Sequence, residues 1–475
     1  MRYAGLLNSL VELEFYNSTR FWVYFFWAIW LHRYVRLIVH CISHWCYKSY
    51  PLPEKPKLTS QDVTIIVPTI HTNFEELRPS LQSILNTNPA TLMLVTTTPK
   101  QADLLKLARS FNHPDVQVLA TPIANKRLQV CEALPQVKTD IIVMADDDVT
   151  WPYETLSWLL APFDHDERIG GVGTCQRVRR LERGTWSERC WNWLGAAYIE
   201  RRNFEISATH NIDGGTSCMS GRTGAYRKEI LSSTDFLEAF KTERWGKYTL
   251  NADDDNFVTR WLVSNRWKTW IQYEDACQIE TTLENNQKFL FQCSRWARSN
   301  WRSNWTSLTQ ERHVITQQPW CTYALHIATF TSLAFVVDPL LVWSCWRATQ
   351  DWEDRRDRLL ATWALVIFMF GFTKVVKLIG LFRRDYSSIV FLPLSIAFGY
   401  FHGLIKLYAL FTLKMTSWGS RADGDQNDDA RLTANPRRAP LLLTPGGTTL
   451  ARWRSDSEKP KDLCERSSSV ALFAS

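Results

Sequence analysis

The stretch TDIIVMADDDVTWP, Thr139 to Pro152, decides how the chain reads. Ile141 to Ala145 form an unbroken apolar run, the pattern of a strand covered on both faces rather than one with a wet side. Three aspartates, Asp146 to Asp148, follow at once, and a turn closes the segment. Adjacent carboxylates repel one another unless water, a cation or a reaction offsets the charge. Alternate residues of an extended chain share a face, which puts Asp146 and Asp148 on the same side. Such a pair at a strand end can chelate a hard divalent cation, which in turn holds a diphosphate. An acidic loop or a helix cap is the alternative.

Outward from this stretch the same texture repeats. DVTIIVPTI (62–70), ATLMLVTTTP (90–99) and DVQVLATP (115–122) are short apolar runs ended by turn residues, with helical stretches such as KQADLLKLARSFNH between them. Strands alternating with helices predict an α/β domain, a mostly parallel sheet with helices on both faces. Ligands of such sheets bind beyond the carboxyl ends of the strands, where the first triplet stands. Lys126 and Arg127 open a helix in the same sheet, and cations at a helix N-terminus favour phosphate.

The chain has 475 residues and a formal charge of +7, with 23 Trp, 24 Phe and 15 Tyr. Aromatic residues in this number beside apolar runs point to a membrane interface. The mild basic excess suits an anionic membrane surface or a phosphate-bearing substrate, and no basic stripe predicts nucleic acid as a partner. Eleven cysteines without a CxxC pair exclude a Cys-based metal site and argue against a disulfide framework, so reduced thiols facing the cytosol are expected.

Four regions are expected: a membrane anchor and linker (1–58), a cytosolic catalytic domain (59–305), C-terminal interfacial and transmembrane helices (306–418) and a polar, disordered tail (419–475). The anchor contains eleven consecutive apolar residues, Phe21 to Leu31, followed by Arg33 and Arg36. It reads as one spanning helix, with an interfacial amphipathic helix as the alternative. Near the C-terminus, 320–346 and 359–382 are long enough to span. A third segment, 387–415, is broken by Pro393, Gly399, His402 and Lys406 and reads as spanning, re-entrant or interfacial. Intramembrane charges usually face a polar cavity, which makes Asp338, Lys374 and Lys377 candidates for lining a path; snorkelling or a place at a helix end is the alternative.

Three further motifs carry chemistry. In CMSGRTGAYRKEIL, the small residues Ser220 and Gly221 let backbone approach a ligand, though an ordinary turn reads the same way. LNADDDNFVTRW holds a second triplet, Asp253 to Asp255, at the start of a helix, where capping and catalysis are both open readings. FLFQCSRWARSNWRSNW puts Gln292, Arg295 and Trp296 on one helical face, able to hold a diphosphate and to stack on a sugar; an Arg-lined interfacial helix is the alternative.

Taken in order, DxD, SGxxGAYR, DD and QxxRW between membrane helices resemble the membrane-embedded family-two glycosyltransferases, in particular the hyaluronan-synthase-like fungal polysaccharide synthases, or type 2 glycosyltransferases. The resemblance runs from about Thr59 to Arg421, including IGGVG (169–173) and WGSR (418–421). It implies a GT-A-type nucleotide-sugar-binding domain with N- and C-terminal transmembrane helices. It implies Mn²⁺ or Mg²⁺ on Asp148 and Asp146, and donor contacts from Asp146, Asp148, Lys126 and Arg295. Asp254, with Asp253 beside it, takes the catalytic place; Gln292, Trp296, Ser220 and Gly221 take the acceptor side; Trp418 and Arg421 form a gating loop. Two positions depart from the family. The aspartate after the second strand is replaced within VTTTP, and the glycine before the acidic pair is Ala252.

The function this implies is inverting transfer from a UDP-sugar to build, and move outward, a β-linked extracellular or cell-wall polysaccharide. The partners are the donor, the growing chain and membrane lipid, and the setting is a multi-pass plasma-membrane protein with a cytosolic catalytic domain. Oligomeric state is left open. Gating from the cytosol requires an even number of crossings after the catalytic domain, which favours a re-entrant or interfacial last segment. The rivals are transfer of one sugar to a lipid, as in ceramide glucosyltransferases, and a transporter or scaffold with a degenerate sugar-nucleotide domain.

Overall fold

The computed structural model describes residues 18–111, 113, 115–331 and 333–416. The whole expected gating loop, with Trp418 and Arg421, and the polar tail lie outside the described residues.

The chain enters through helix α1 (Thr19–Cys46), capped by the Ser18 side chain. The sheet follows, with β1 (Val63–Pro68), β2 (Thr91–Thr97), β3 (Val116–Thr121), β4 (Ile141–Ala145), β5 (Val149–Thr150), β6 (Ile169–Thr174), β7 (Gln176–Val178) and β8 (Thr223–Arg227). A short hairpin, β9 (Arg244–Trp245) and β10 (Tyr248–Thr249), precedes β11 (Lys268–Gln272) and β12 (Ile279–Thr281). Seven strands form the main sheet in the order β11-β6-β8-β4-β1-β2-β3. Every pairing in it is parallel except those of β8, which runs antiparallel to both β4 and β6. A small sheet, β5-β12-β7, joins the chain just after the first triplet to the segment before the QxxRW helix.

The unbroken apolar runs are explained by cover on both faces. Val63, Ile65, Val67, Ile141 and Val143 pack on one side with helices α2 (Arg78–Leu85), α3 (Gln101–Ser110) and α5 (Thr155–His165). The alternating residues Ile66, Met93, Val95, Ile142 and Met144 pack on the other with α4 (Lys126–Ala133), α7 (Thr234–Thr242) and α8 (Asp254–Ser264). Burying both faces is what makes apolar residues necessary at successive positions. IGGVG serves the same packing: a Cβ at Gly171 would lie 2.7 Å from Leu262 of α8 and 2.8 Å from Met219.

Helix α6 (Trp186–Asp213) has 28 residues and starts in a capping box of Thr185 with Glu188. It runs about 42 Å and, with α9 (Lys288–Thr306), carries the C-terminal helices. Trp193, Ala197, Phe289, Ala297 and Trp301 of these two helices share a core with Phe398, Ile405 and Ala409.

Two described helices are long and apolar enough to cross a membrane: α11 (Arg355–Arg384), 30 residues, and Tyr386–Phe411, 26 residues. The 320–346 segment differs from expectation. It is not one helix: a helical run of α and π turns, 319–331, precedes the extended Leu333, and α10 (Ala334–Ala348), 15 residues, follows. That length reaches about 22 Å, short of a hydrocarbon core of about 30 Å. The N-terminal helix is long enough but is not among the apolar pair, because Trp, Tyr, His and Arg make up much of it. It packs instead against α6 and α10.

Asp338, Lys374 and Lys377 are paired across these helices. Asp338 accepts from Arg33 at 3.2 Å and from the Tyr400 hydroxyl at 2.8 Å, with Lys374 at 3.8 Å. Lys377 pairs with Glu205, which His40 also contacts at 2.7 Å. Asp338 borders a mostly apolar recess of about 620 Å³ with Trp343, Phe370 and Tyr400.

Candidate active site

Both aspartate triplets open into one cavity of about 540 Å³ beyond the carboxyl end of β4. Asp146, Asp148, Lys126, Asp253, Asp254, Ser220, Gly221, Gln292, Arg295 and Trp296 all line it. The residues named from sequence that fall within the described chain are therefore neighbours, although about 170 residues separate the first from the last in sequence.

The first triplet splits. Asp147 turns inward and accepts from the Thr69 hydroxyl at 2.5 Å, beyond the end of β1. Asp146 accepts from Lys126 Nζ at 2.7 Å, and Asp148 Oδ2 lies 3.4 Å from the Thr282 hydroxyl. The middle residue thus braces the turn, while the outer two remain at the cavity.

The second triplet splits too. Asp253 precedes α8 with φ +66°, a left-handed conformation, and its side chain makes no capping bond. Both its oxygens are held by Arg302, at 2.7 and 3.0 Å, and Ser299 donates to one of them. Asp255 accepts from the Gly221 amide at 3.1 Å. Asp254 faces the cavity and pairs with Lys126 at 2.8 Å. Lys126 therefore bridges Asp146 and Asp254, one carboxylate from each triplet.

Burial alone would raise the Asp254 carboxyl, but the Lys126 ammonium outweighs it and holds the group below the ordinary aspartate value. Burial also works against the Lys126 charge, yet Asp146 and Asp254 together hold its pKa above the usual lysine value. Asp255 goes the other way: burial and the neighbouring Asp254 charge push it up. Asp253 is held low because Arg302 overcomes its burial. Arg295 is lowered by burial, an effect that Asp146 and the second triplet offset in part.

Gly221 is required by close approach. A Cβ there would meet Asp255 Cβ at 3.2 Å and Lys126 Nζ at 3.3 Å. On the opposite wall, Trp296 stacks on Tyr198 with centroids 5.2 Å apart, and the Arg222 guanidinium lies 5.4 Å from its ring centre. Gln292 Oε1 is buried and has no hydrogen-bond partner.

Arg127 does not face the cavity. It is buried and donates to the carbonyls of Phe240 and Ala252 and to Glu243, so it braces the loop before the second triplet. Sequence reasoning missed Arg222, Arg202, Asp255 and Thr282, all of which line the cavity. Arg222 stands inside the SGRTGAYR loop, but only folding brings its side chain near Asp146, Asp148 and Trp296.

Among the described residues, no three His, Cys, Asp or Glu side chains are gathered as a ready metal site. The donors at the cavity are carboxylate oxygens, which suit a hard cation that draws its remaining ligands from a diphosphate and water. Asp146 and Asp148 fit that role.

The family described as "Glycosyltransferase like family 2" matches residues 60–299. A type 2 glycosyltransferase of Gibberella zeae is 67% identical over 446 residues, which cover 94% of this chain and 84% of that protein. One from Pyricularia oryzae is 62% identical, over 97% of this chain and 93% of that protein. A hyaluronan synthase of Streptococcus pyogenes is 23% identical, over 78% of this chain and 85% of that protein. Among solved structures, a mannosyltransferase from Pyrobaculum calidifontis in complex with GDP-Man and Mn²⁺ is similar in fold, with a TM-score of 0.52 at 14% identity, over 83% of this chain and 99% of that one.

Proposed function

The chain belongs to the family 2 glycosyltransferases, and we propose that it transfers sugar from a UDP-linked donor to the end of a growing β-linked polysaccharide. The observation that carries this reading is Lys126, 2.7 Å from Asp146 and 2.8 Å from Asp254, which sets a donor-side carboxylate beside a proton-accepting one.

Asp254, kept ionised by Lys126, accepts the proton of the acceptor hydroxyl. The acceptor oxygen bonds to the anomeric carbon as the bond from that carbon to the diphosphate oxygen breaks on the opposite face. The anomeric centre inverts, so an α-linked donor gives a β-linked product. Arg295, and Arg222 near Asp146 and Asp148, take up the negative charge that develops on the departing diphosphate. Asp146 and Asp148 would hold a divalent cation, Mn²⁺ or Mg²⁺, which when bound would add positive charge beside that diphosphate. Gln292, with its unpartnered Oε1, accepts a hydrogen bond from an acceptor hydroxyl, and Trp296 forms the apolar wall beside it. Ser220 and Gly221 bring backbone close to the same space. Asp253 acts through Asp254, because its own oxygens are engaged by Arg302 and Ser299.

The two apolar helices and the packing of the last one on α6 and α9 support a membrane setting with the transfer site at the membrane face, from which the product is passed outward. The test is direct. The full chain in lipid nanodiscs is given a panel of UDP-sugars with Mn²⁺, and the product is sized. A polymer supports the reading, and a single sugar on lipid replaces it with lipid glycosylation. Asp254→Asn is expected to reduce nucleotide release by about 10²- to 10⁴-fold. Release at the unaltered rate would show that Asp254 is not the base.

A further inference from the structure

Asp253 is one of four non-glycine residues with positive φ among those described. A left-handed aspartate is uncommon and persists where its surroundings hold it. It stands immediately before Asp254, so its backbone angle sets where the Asp254 carboxylate points. The usual reason for an aspartate at this place, capping its own helix, is not met, since the side chain makes no capping bond.

What holds it is Arg302. The pair is bidentate and buried, with side-chain exposures of 3% and 2%. The same guanidinium reaches a second element: Arg302 Nη1 donates to the carbonyls of Leu413 and Met415, each at 3.2 Å. These carbonyls follow the last described helix, α12 (Leu392–Phe411). One turn earlier on α9, Arg298 Nη1 lies 3.4 Å from the Thr412 hydroxyl, and Trp301 Nε1 donates to the Lys406 carbonyl at 2.9 Å. One face of α9 thus seats the end of α12 while its neighbour, Ser299, bonds Asp253.

We propose that Arg302 is a positioning residue that clamps two things at once: the strained Asp253 that aims Asp254, and the chain at the end of α12. The inference rests on the reading of the cavity as the transfer site. Moving the end of α12 away from α9 breaks bonds of the guanidinium that fixes Asp253, so the seating of that helix and the aim of the base are coupled. Lysine cannot replace this contact, because it lacks the planar fork that meets both carboxylate oxygens while reaching the carbonyls.

The test uses the full chain in lipid nanodiscs, a donor chosen from a panel of UDP- and GDP-sugars with Mn²⁺, and two variants. Arg302→Lys is expected to lower kcat by about 10- to 100-fold, as small misplacements of a reacting group do, with donor KM within about twofold of the original. It is also expected to speed tryptic cleavage after Lys414, which is exposed between the two clamped carbonyls. Ser299→Ala removes one bond to Asp253 and none to α12. It should lower kcat less, at unchanged donor KM, and leave cleavage after Lys414 at the original rate. Should Arg302→Lys fail to fold, the kcat loss of Ser299→Ala at retained KM is the required result. Original kcat in Arg302→Lys overturns the proposal, as does a kcat loss with cleavage after Lys414 unchanged. If the unaltered chain turns over no donor, the transfer reading fails, and the clamp is then decided by cleavage alone.

Discussion

Lys126 is the residue on which the two acidic stretches converge, and its effect can be measured. Because the folded pKa of Asp254 is depressed, the carboxylate stays ionised down through the ordinary aspartate range, near pH 4. Activity that depends on this ion is therefore lost only at more acid pH. Lys126→Met removes the cation and leaves burial unopposed, which raises the Asp254 pKa. The acid limb of the kcat/KM profile is expected to move to higher pH; an unmoved limb would separate Lys126 from the base. Gly221→Ala is a second residue-scale prediction. The added methyl presses on Asp255 and Lys126 at 3.2 and 3.3 Å, and a kcat loss of about tenfold or more, read from nucleotide release, is expected from such displacement. At this scale the sequence revealed which residues to watch. It did not reveal that Asp147 would turn to Thr69, or that Arg127 would turn away from Lys126 to brace Ala252, because side-chain direction depends on partners far along the chain.

Elements were legible where the pattern was strong. The apolar runs at 63–68, 91–97 and 141–145 are parallel strands of one mostly parallel sheet, and Asp254–Ser264 is a helix beginning at the second triplet. IGGVG was noted only as part of a resemblance, yet its reason is contact: Leu262 of α8 lies over Gly171. Gly171→Val is expected to overpack this contact and destabilise the chain by about 1–3 kcal/mol, seen as a lower thermal midpoint; an unchanged midpoint would mean that the helix yields. The segment at 320–346 is long enough to span by sequence, but apolar length alone does not report a break. Nothing in its composition marks the extended Leu333, which leaves α10 with 15 residues.

Across the whole molecule, partly buried polar contacts and ion pairs tie the N-terminal helix to the catalytic part and to the C-terminal helices. Glu205 of α6 meets His40 of α1 and Lys377 of the apolar helix that begins at Arg355; Asp338 of α10 meets Arg33 of α1 and Tyr400 of α12. Removing one partner of a buried pair strands the other charge, and Glu205→Ala is expected to cost about 3–5 kcal/mol. The combination Glu205→Gln with Lys377→Met should restore much of the thermal midpoint of the nanodisc-held protein; equal losses in the single and the paired variants would refute the pairing.

By itself the sequence determined the order of strands and helices and the motifs that end them, because apolar periodicity and turn residues act locally. It also placed the candidate site residues at the strand end and on the QxxRW helix. Only the tertiary structure decided which carboxylates face the cavity, since that is settled by partners on other elements of the fold. Lys126 takes Asp254, Arg302 takes Asp253 and the Gly221 amide takes Asp255, so three identical neighbours acquire different surroundings. The same holds for the charges among the apolar helices. A desolvated charge is costly without a partner, and only the packing of the helices shows that Asp338 and Lys377 have theirs.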